Sequence, residues 1–281
     1  LSASDKLIIN VALTGMVPTK ADTPHVPVTV DEIVGCARQV RDAGASIVHL
    51  HARDGAGNPT SAGDAYVELA ARVRQACPDL VVCVSMSGRL VQDVNQRAAA
   101  LESRPDMASL TLGSMNFPKQ LSANPPDVIQ ELAARIYAVG AVPELEVFEA
   151  GFINYANYLI RKGILHAPHY FNLILGSLGT APLDLVGFGH MVSLLPPGST
   201  WSAGGIGRYQ LDANVMAIAA GGHVRLGIED NHYYDRDRKI LADNRRFVER
   251  VVGIGRELGR EPATPDEART LVGLPPRSMR L

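Results

Sequence analysis

Short apolar runs alternate along this chain with stretches whose apolar residues recur at helical spacing. Residues 7–13 form the first run, stopped by Thr14-Gly15, as expected of a strand buried on both faces. After a loop carrying Pro18, Pro24 and Pro27, Thr29 stands three residues before Glu32, the spacing of a capping box. Ile33, Cys36, Ala37 and Val40 then share one helical face up to Gly44. The same unit recurs. A strand at 46–51 leads through the polar loop 53–59 to a helix at 63–77 with Tyr66, Leu69, Ala70 and Val73 inward, and a strand at 80–85 precedes a helix at 91–101. A strand at 107–113 is followed by a long loop and by a helix entered through Pro125-Pro126, with Ile129, Leu132 and Ile136 on one face. Strands at 142–149, 170–176, 200–203 and 223–228 alternate with helices at 152–161 and 183–195, a helix opened by Gly204–Arg208, and a helix at 239–258. Eight such alternations predict a closed (β/α)8 TIM barrel, one domain over residues 1–281, in preference to an open doubly wound sheet. The tail after Gly259, with Pro262, Pro265, Pro275 and Pro276, is expected to wrap the barrel or a neighbouring subunit.

Composition narrows the function classes. With 46% hydrophobic and 20% charged residues, the 281-residue chain has material for a large core and is too apolar for disorder. A formal charge of -2 from interspersed acids and bases offers no basic stripe for nucleic acid or an anionic membrane. Three cysteines, Cys36, Cys77 and Cys83, form no CxxC pair and suit a reducing compartment. No apolar stretch approaches the roughly 20 residues that span a bilayer, and no leader pattern opens the sequence, so a cytoplasmic protein is expected.

In barrels of this type reactive groups gather at the C-terminal ends of the strands. His49 and His51 alternate there, so they share one face of their strand and can reach one metal ion; they fit a hydrogen-bonded pair of barrel histidines equally well. Glu229 and Asp230 end the last strand. If that strand is still extended their side chains diverge, one free to ligate and the other free for proton chemistry. Two histidines and a carboxylate would leave metal positions open for substrate. Glu144 and Glu146 alternate with apolar residues and either point into the barrel or pair with arginine. Gly205, Gly207 and Arg208, between a strand and a helix, form a weak phosphate-binding pattern, whereas no P-loop, GxGxxG or GxSxG is present. Ser85, Ser87 and Ser109 offer hydroxyl donors to a carboxylate. His25, His166, His190 and His232 are expected in loops, and His169 and His223 at the barrel's lower end.

Taken jointly, Leu13-Thr14-Gly15, Ala43-Gly44-Ala45 through His49-Leu50-His51, Met107–Leu110, Val142-Pro143-Glu144, Ala203–Arg208, Gly222–Asn231 and Ala263–Arg269 resemble the β-keto acid cleavage enzyme family over almost the whole chain. The resemblance implies a zinc-dependent barrel, with one Zn²⁺ per chain, that converts a β-keto acid and acetyl-CoA into acetoacetate and a new acyl-CoA. By position it implies His49, His51 and Glu229 as zinc ligands and Asp230 as general base, kept ionised by Arg225. Ser85, Ser109 and Thr111 would lie against the substrate carboxylate, with Ser87, Gly88 and Glu144 read as further substrate contacts. A homotetramer is implied as well. The chain departs from the family's pattern for an amino-bearing substrate, which carries an acid shortly after Thr-Gly where this sequence has Met16-Val17-Pro18, and a small residue where it has Arg89. Ser109 and Thr111 also replace that pattern's residues while keeping hydrogen-bonding groups. These changes predict a substrate whose distal group is neutral or anionic. A metal-dependent aldolase or lyase working through an enolate without CoA, and a non-catalytic metal-binding barrel, are the competing expectations.

Overall fold

The structure is a computed structural model and describes residues 6–275. Eight parallel strands close a ring in chain order: β1 (Ile9–Ala12), β2 (Ile47–Leu50), β3 (Val81–Val84), β4 (Met107–Thr111), β5 (Val142–Val147), β6 (Tyr170–Leu175), β7 (Thr200–Gly205) and β8 (His223–Leu226), the last pairing with the first. Helices α1 (Val30–Ala43), α2 (Gly63–Ala76), α3 (Val94–Ala98), α4 (Pro126–Ala138), α5 (Ala150–Arg161), α6 (Leu185–Ser193), α7 (Gln210–Ala219) and α8 (Asn244–Glu257) follow the strands in turn. This is the TIM barrel expected from the alternation of runs.

Strand alternation sorts the side chains into two apolar bodies. Val48 and Leu50 of β2 belong to the cluster that includes Ile33, Val40 and Leu69 of the helices, whereas Ile47 packs with Ile8, Val81, Met107 and Tyr170 inside the lower barrel. His49 and His51 fall on that inner face, above Ile47. A ninth helix, α9 (Pro265–Leu271), starts from a Thr264–Glu267 capping box and carries Ala268 into the inner cluster, which Val272 and Leu274 extend. The tail after Gly259 therefore caps the barrel floor, pinned by Arg269 Nη1 at 2.9 Å from Asp106 Oδ1; Pro276, expected in the same tail, lies outside the described residues.

Several expected boundaries move, each for a local reason. The first run is split: Lys6–Leu7 pairs with Glu261–Pro262 outside the ring, and only Ile9–Ala12 joins it. The helix expected from 239 starts at Asn244, because Asp235 accepts from the backbone N–H of Lys239 and Ile240 and the N-cap is Asp243, bonded to Arg246 N. The helix expected at 91–101 is a short α3 capped by Asp93 that tightens into a 3-10 turn, Ala99–Ser103. β7 runs on through Gly205, so Gly204 and Gly205 are strand residues and a 3-10 turn, Gly207–Tyr209, precedes α7. His190 lies on α6 rather than in a loop. Within the long loop after β4, Met115–Phe117 and Gln120–Ser122 form a small antiparallel hairpin beside the barrel mouth. Among the described residues no helix is long and apolar enough to cross a membrane.

Candidate active site

The inner face of the barrel changes from apolar to polar within two residues of each strand. Above Ile8 and Ile47 stand Asn10, His49, Cys83, Glu144 and Asn172, all buried, and Glu144 is their centre. Its Oε1 accepts from Asn10 Nδ2 at 2.6 Å and Asn172 Nδ2 at 3.0 Å, and its Oε2 lies 2.9 Å from His49 Nδ1 and 3.3 Å from Cys83 Sγ. Burial alone would raise the Glu144 carboxyl, but His49, Arg225 and Cys83 outweigh it and hold the pKa at about 2. Burial likewise disfavours protonated His49, and Glu144 reverses the sign, lifting that ring above its ordinary value. The expectation that Glu144 touches substrate is corrected: it does not line the cavity but sits beneath it, fixing His49 so that Nε2 is left for the space above.

That space is a cavity of about 220 Å³ at the C-terminal ends of the strands. Its deep wall holds His49, His51, Glu229, Asp230, Arg225 and Glu146, and its sides include Ser85, Ser87 and Thr111. Met16, Val17, Arg89, Phe117 and Pro118 line it as well. His51 Nε2 lies 3.2 Å from Glu229 Oε1. Arg225 donates from Nε to Asp230 Oδ2 at 2.9 Å and from Nη2 to Glu229 Oε1 at 3.0 Å, and its Nη1 stands 3.8 Å from Glu146 Oε1. Thr111 Oγ1 donates to Glu146 Oε2 at 2.6 Å.

The two acids do not diverge, as an extended strand would require. β8 ends at Leu226, and residues 227–230 form a turn closed by Asp230 N to Gly227 O at 3.2 Å, so both carboxylates converge on Arg225. Gly227 makes the turn possible: its φ is 142°, and a Cβ there would lie 2.1 Å from Ala12 O. Gly15 does the same from the opposite wall, since a Cβ there would lie 2.6 Å from Glu229 Cγ. Three buried amides that the sequence reading passed over hold this turn: Gln210 Nε2 donates to Gly227 O, Asn214 Nδ2 to Arg225 O, and Asn244 Oδ1 accepts from Ile228 N. The available signal was their polarity at helix positions that otherwise face the barrel.

Electrostatics divide the acids. For Glu229, burial is overcome by His51 and Arg225, and the carboxyl lies well below its usual range. For Asp230, Arg225 pulls the carboxyl down by its charge and its hydrogen bond, but burial and neighbouring Glu229 prevail and the net shift is upward. Burial outweighs Glu229 at His51 and lowers it, leaving a neutral imidazole; burial and Glu144 raise Glu146 despite Arg225.

Two donor sets share His49: His49, His51 and Glu229, and His49, Cys83 and Glu144, each with ligand atoms within 4.8 Å of one another. The first fits a metal ion better. It opens on the cavity, it offers a neutral imidazole and an ionised carboxylate, and Glu229 Oε2 is buried with no hydrogen-bond partner among the described residues. In the second set Glu144 is saturated, while burial and Glu144 push the Cys83 thiol far up.

Other expected site residues lie apart. Ser109 Oγ accepts from Met86 N at 3.1 Å behind the cavity wall, and Gly88 packs where a Cβ would lie 2.5 Å from Ala123 O. Gly205 is pressed against Tyr209 O, Gly207 N donates to Asp230 O at 2.7 Å, and Arg208 reaches outward to the Tyr209 hydroxyl. None of these three lines the cavity, and the Gly207 amide that would face a phosphate is already used.

Comparison with known proteins agrees with this architecture. A family model for beta-keto acid cleavage enzyme matches residues 6–274. The chain is 40% identical over 273 residues to a 3-keto-5-aminohexanoate cleavage enzyme of Fusobacterium nucleatum, covering 96% of this chain and 98% of the relative. It is 37% identical over 271 residues, 95% of each chain, to the 3-oxoadipate:acetyl-CoA acetyltransferase of Cupriavidus necator. It is 33% identical over 300 residues, 99% of each, to the 3-dehydrocarnitine:acetyl-CoA trimethylamine transferase of Rhizobium meliloti. Among solved structures, apo ObcA superposes with a TM-score of 0.76 at 22% identity over 91% of this chain and 66% of its own, a likeness of fold. A match that runs from the first barrel strand through the capping helix at this level of identity means that the chain belongs to the beta-keto acid cleavage enzyme family.

Proposed function

We propose that this chain exchanges a two-carbon acid unit between acyl groups: a β-keto acid and acetyl-CoA give acetoacetate and the acyl-CoA of the remaining fragment. The observation that carries the reading is the convergence on one cavity of His49, His51 and Glu229 with Asp230, which a single arginine holds beside them. Relatives named for quite different β-keto acids share acetyl-CoA in their names, which supports acetyl-CoA as the common cosubstrate here.

His49, His51 and Glu229 would hold Zn²⁺, which when bound supplies Lewis-acid polarisation of the keto group. Asp230, ionised, takes a proton from the carbon between the keto and carboxylate groups; burial and Glu229 make it a stronger base than an exposed aspartate. Arg225 holds Asp230 at a fixed angle through the 2.9 Å bond and balances Glu229. The deprotonated carbon bonds to the acetyl carbonyl and CoA thiolate leaves. The thiolate then adds to the original keto carbon, the old carbon–carbon bond breaks, and Asp230 returns the proton to the departing acetoacetate. Every atom of the two substrates appears in the two products, and no oxidant is needed. Ser85 and Ser87 present hydroxyls to the carboxylate common to all such substrates, beside Thr111, whose hydroxyl is spent on Glu146, while Val17 and Arg89 face its variable end. No acid other than the Arg225-bound group lines the cavity, which supports a neutral or anionic distal group.

A panel of β-keto acids tests this, with products followed by mass spectrometry. Consumption is expected only with acetyl-CoA, giving acetoacetate and acyl-CoA in equal amounts. Cleavage without CoA would replace the reading by an aldolase or lyase, and preference for an amino-bearing acid would overturn the distal assignment.

A further inference from the structure

The cavity contains one cation that no acid contacts, the carboxylates of Glu229, Glu146 and Asp230 acting on it only from a distance. Glu146, Glu229 and Asp230 all face Arg225, and among the described residues no ion pair reaches Arg89, which lines the same cavity. Arg89 is nonetheless built into place. Its guanidinium lies 3.9 Å from the centre of the Phe117 ring, and its backbone N–H is held by Ser87 Oγ at 3.3 Å. With the Gln120 amide turned oxygen-inward, that oxygen accepts from Nε at 2.8 Å and Nη2 at 3.2 Å. Phe117 and Gln120 both belong to the small hairpin beside the mouth, so one hairpin fixes this cavity-lining side chain and, among the described residues, leaves the Nη1 corner of its guanidinium without a hydrogen bond. A guanidinium partly withdrawn from water against an aromatic face, with only a neutral acceptor in contact, lacks the paired carboxylate such a group ordinarily finds. A carboxylate meets such a group with two parallel hydrogen bonds.

We propose that Arg89 is the specificity-determining residue of this site, and that the substrate is a short β-keto dicarboxylate whose second carboxylate, remote from the keto group, pairs with Arg89. The proposal rests on the reaction argued above. It assigns the common carboxylate to the serine hydroxyls and the variable one to the guanidinium.

Two six-carbon acids that differ in one end group separate the possibilities: 3-oxoadipate, and 3-oxohexanoate with a methyl where the second carboxylate stands. With acetyl-CoA, wild-type kcat/KM is expected to favour 3-oxoadipate by about 10- to 100-fold, the worth of a charged hydrogen-bonded contact. Arg89→Met, which keeps an apolar stem on Phe117, should lower the dicarboxylate at least tenfold more than the monocarboxylate, chiefly through KM, and Arg89→Lys should recover part of the difference. Equal losses for both acids would mean that Arg89 binds the common carboxylate, and no loss or a wild-type preference for 3-oxohexanoate would also overturn the proposal. Calorimetric binding of the two acids without acetyl-CoA distinguishes failure of the reaction from failure of the assignment. Tighter binding of 3-oxoadipate that Arg89→Met abolishes supports the assignment even where no acetoacetate forms, and equal binding rejects it even where turnover is seen.

Discussion

The two ends of the barrel use the same strands to opposite ends. At the floor, Ile8, Ile47, Val81, Met107 and Tyr170 meet under α9, and a buried ion pair joins Arg269 to Asp106. At the mouth, three acids crowd round Arg225 beside two imidazoles, and burial together with neighbouring carboxylates pushes Asp230 and Glu146 up while Glu229 is held down. One-to-one pairing serves closure, whereas like charges set side by side store electrostatic cost that proton transfer can use. Stability and activity should accordingly separate along the barrel axis.

The largest test of that separation is Asp230→Asn. It removes the proton acceptor and one crowded charge, so kcat should fall by about 10²–10⁴ while bound metal and melting temperature hold, read by steady-state kinetics, metal analysis and calorimetry. At the floor the result should invert. Arg269→Met leaves Asp106 buried with the backbone N–H of Val82 among its remaining partners, costing about 3 kcal/mol in urea unfolding, with turnover unchanged wherever the barrel is folded. A changed kcat in that variant would show that the ends are not independent. The smallest effect is on acid sensitivity. His223 is buried at the start of β8, where desolvation and Arg260 depress its pKa from 6.5 to about 3. The folded chain therefore binds fewer protons than the unfolded one between those values, and stability is lost as pH falls from about 6.5 toward 3. His223→Gln keeps an acceptor for Ile8 N and should flatten part of that slope in melting temperature against pH; an unchanged slope would assign the acid loss to carboxylates such as Glu144.

The parts legible in the sequence were those written in local period. Alternation in 46–51 put His49 and His51 on the inner face because Val48 and Leu50 had to face helices, and Thr29 with Glu32 fixed the start of α1. Depth along the barrel axis was not legible. Glu144 and Glu146 share a face and differ by one layer, and that layer decides between a residue beneath His49 and a residue on the cavity wall. The turn after β8 escaped for a different reason: it depends on Ala12, Gln210 and Asn244 meeting Gly227 and Ile228, partners that no window of sequence contains. The hairpin carrying Phe117 and Gln120 has no Asn-Gly signal at its tip, Pro118-Lys119, and so read as loop.

Glu144 gathers hydrogen bonds from β1, β2, β3 and β6 onto a carboxylate carried by β5. The angle of one imidazole is thus an output of the whole ring's registration, and a barrel that has not finished closing has no means of presenting it. Val17, Arg89 and Phe117 have no bond to that carboxylate, so the rim can be exchanged residue by residue for new acids without retuning the hearth below.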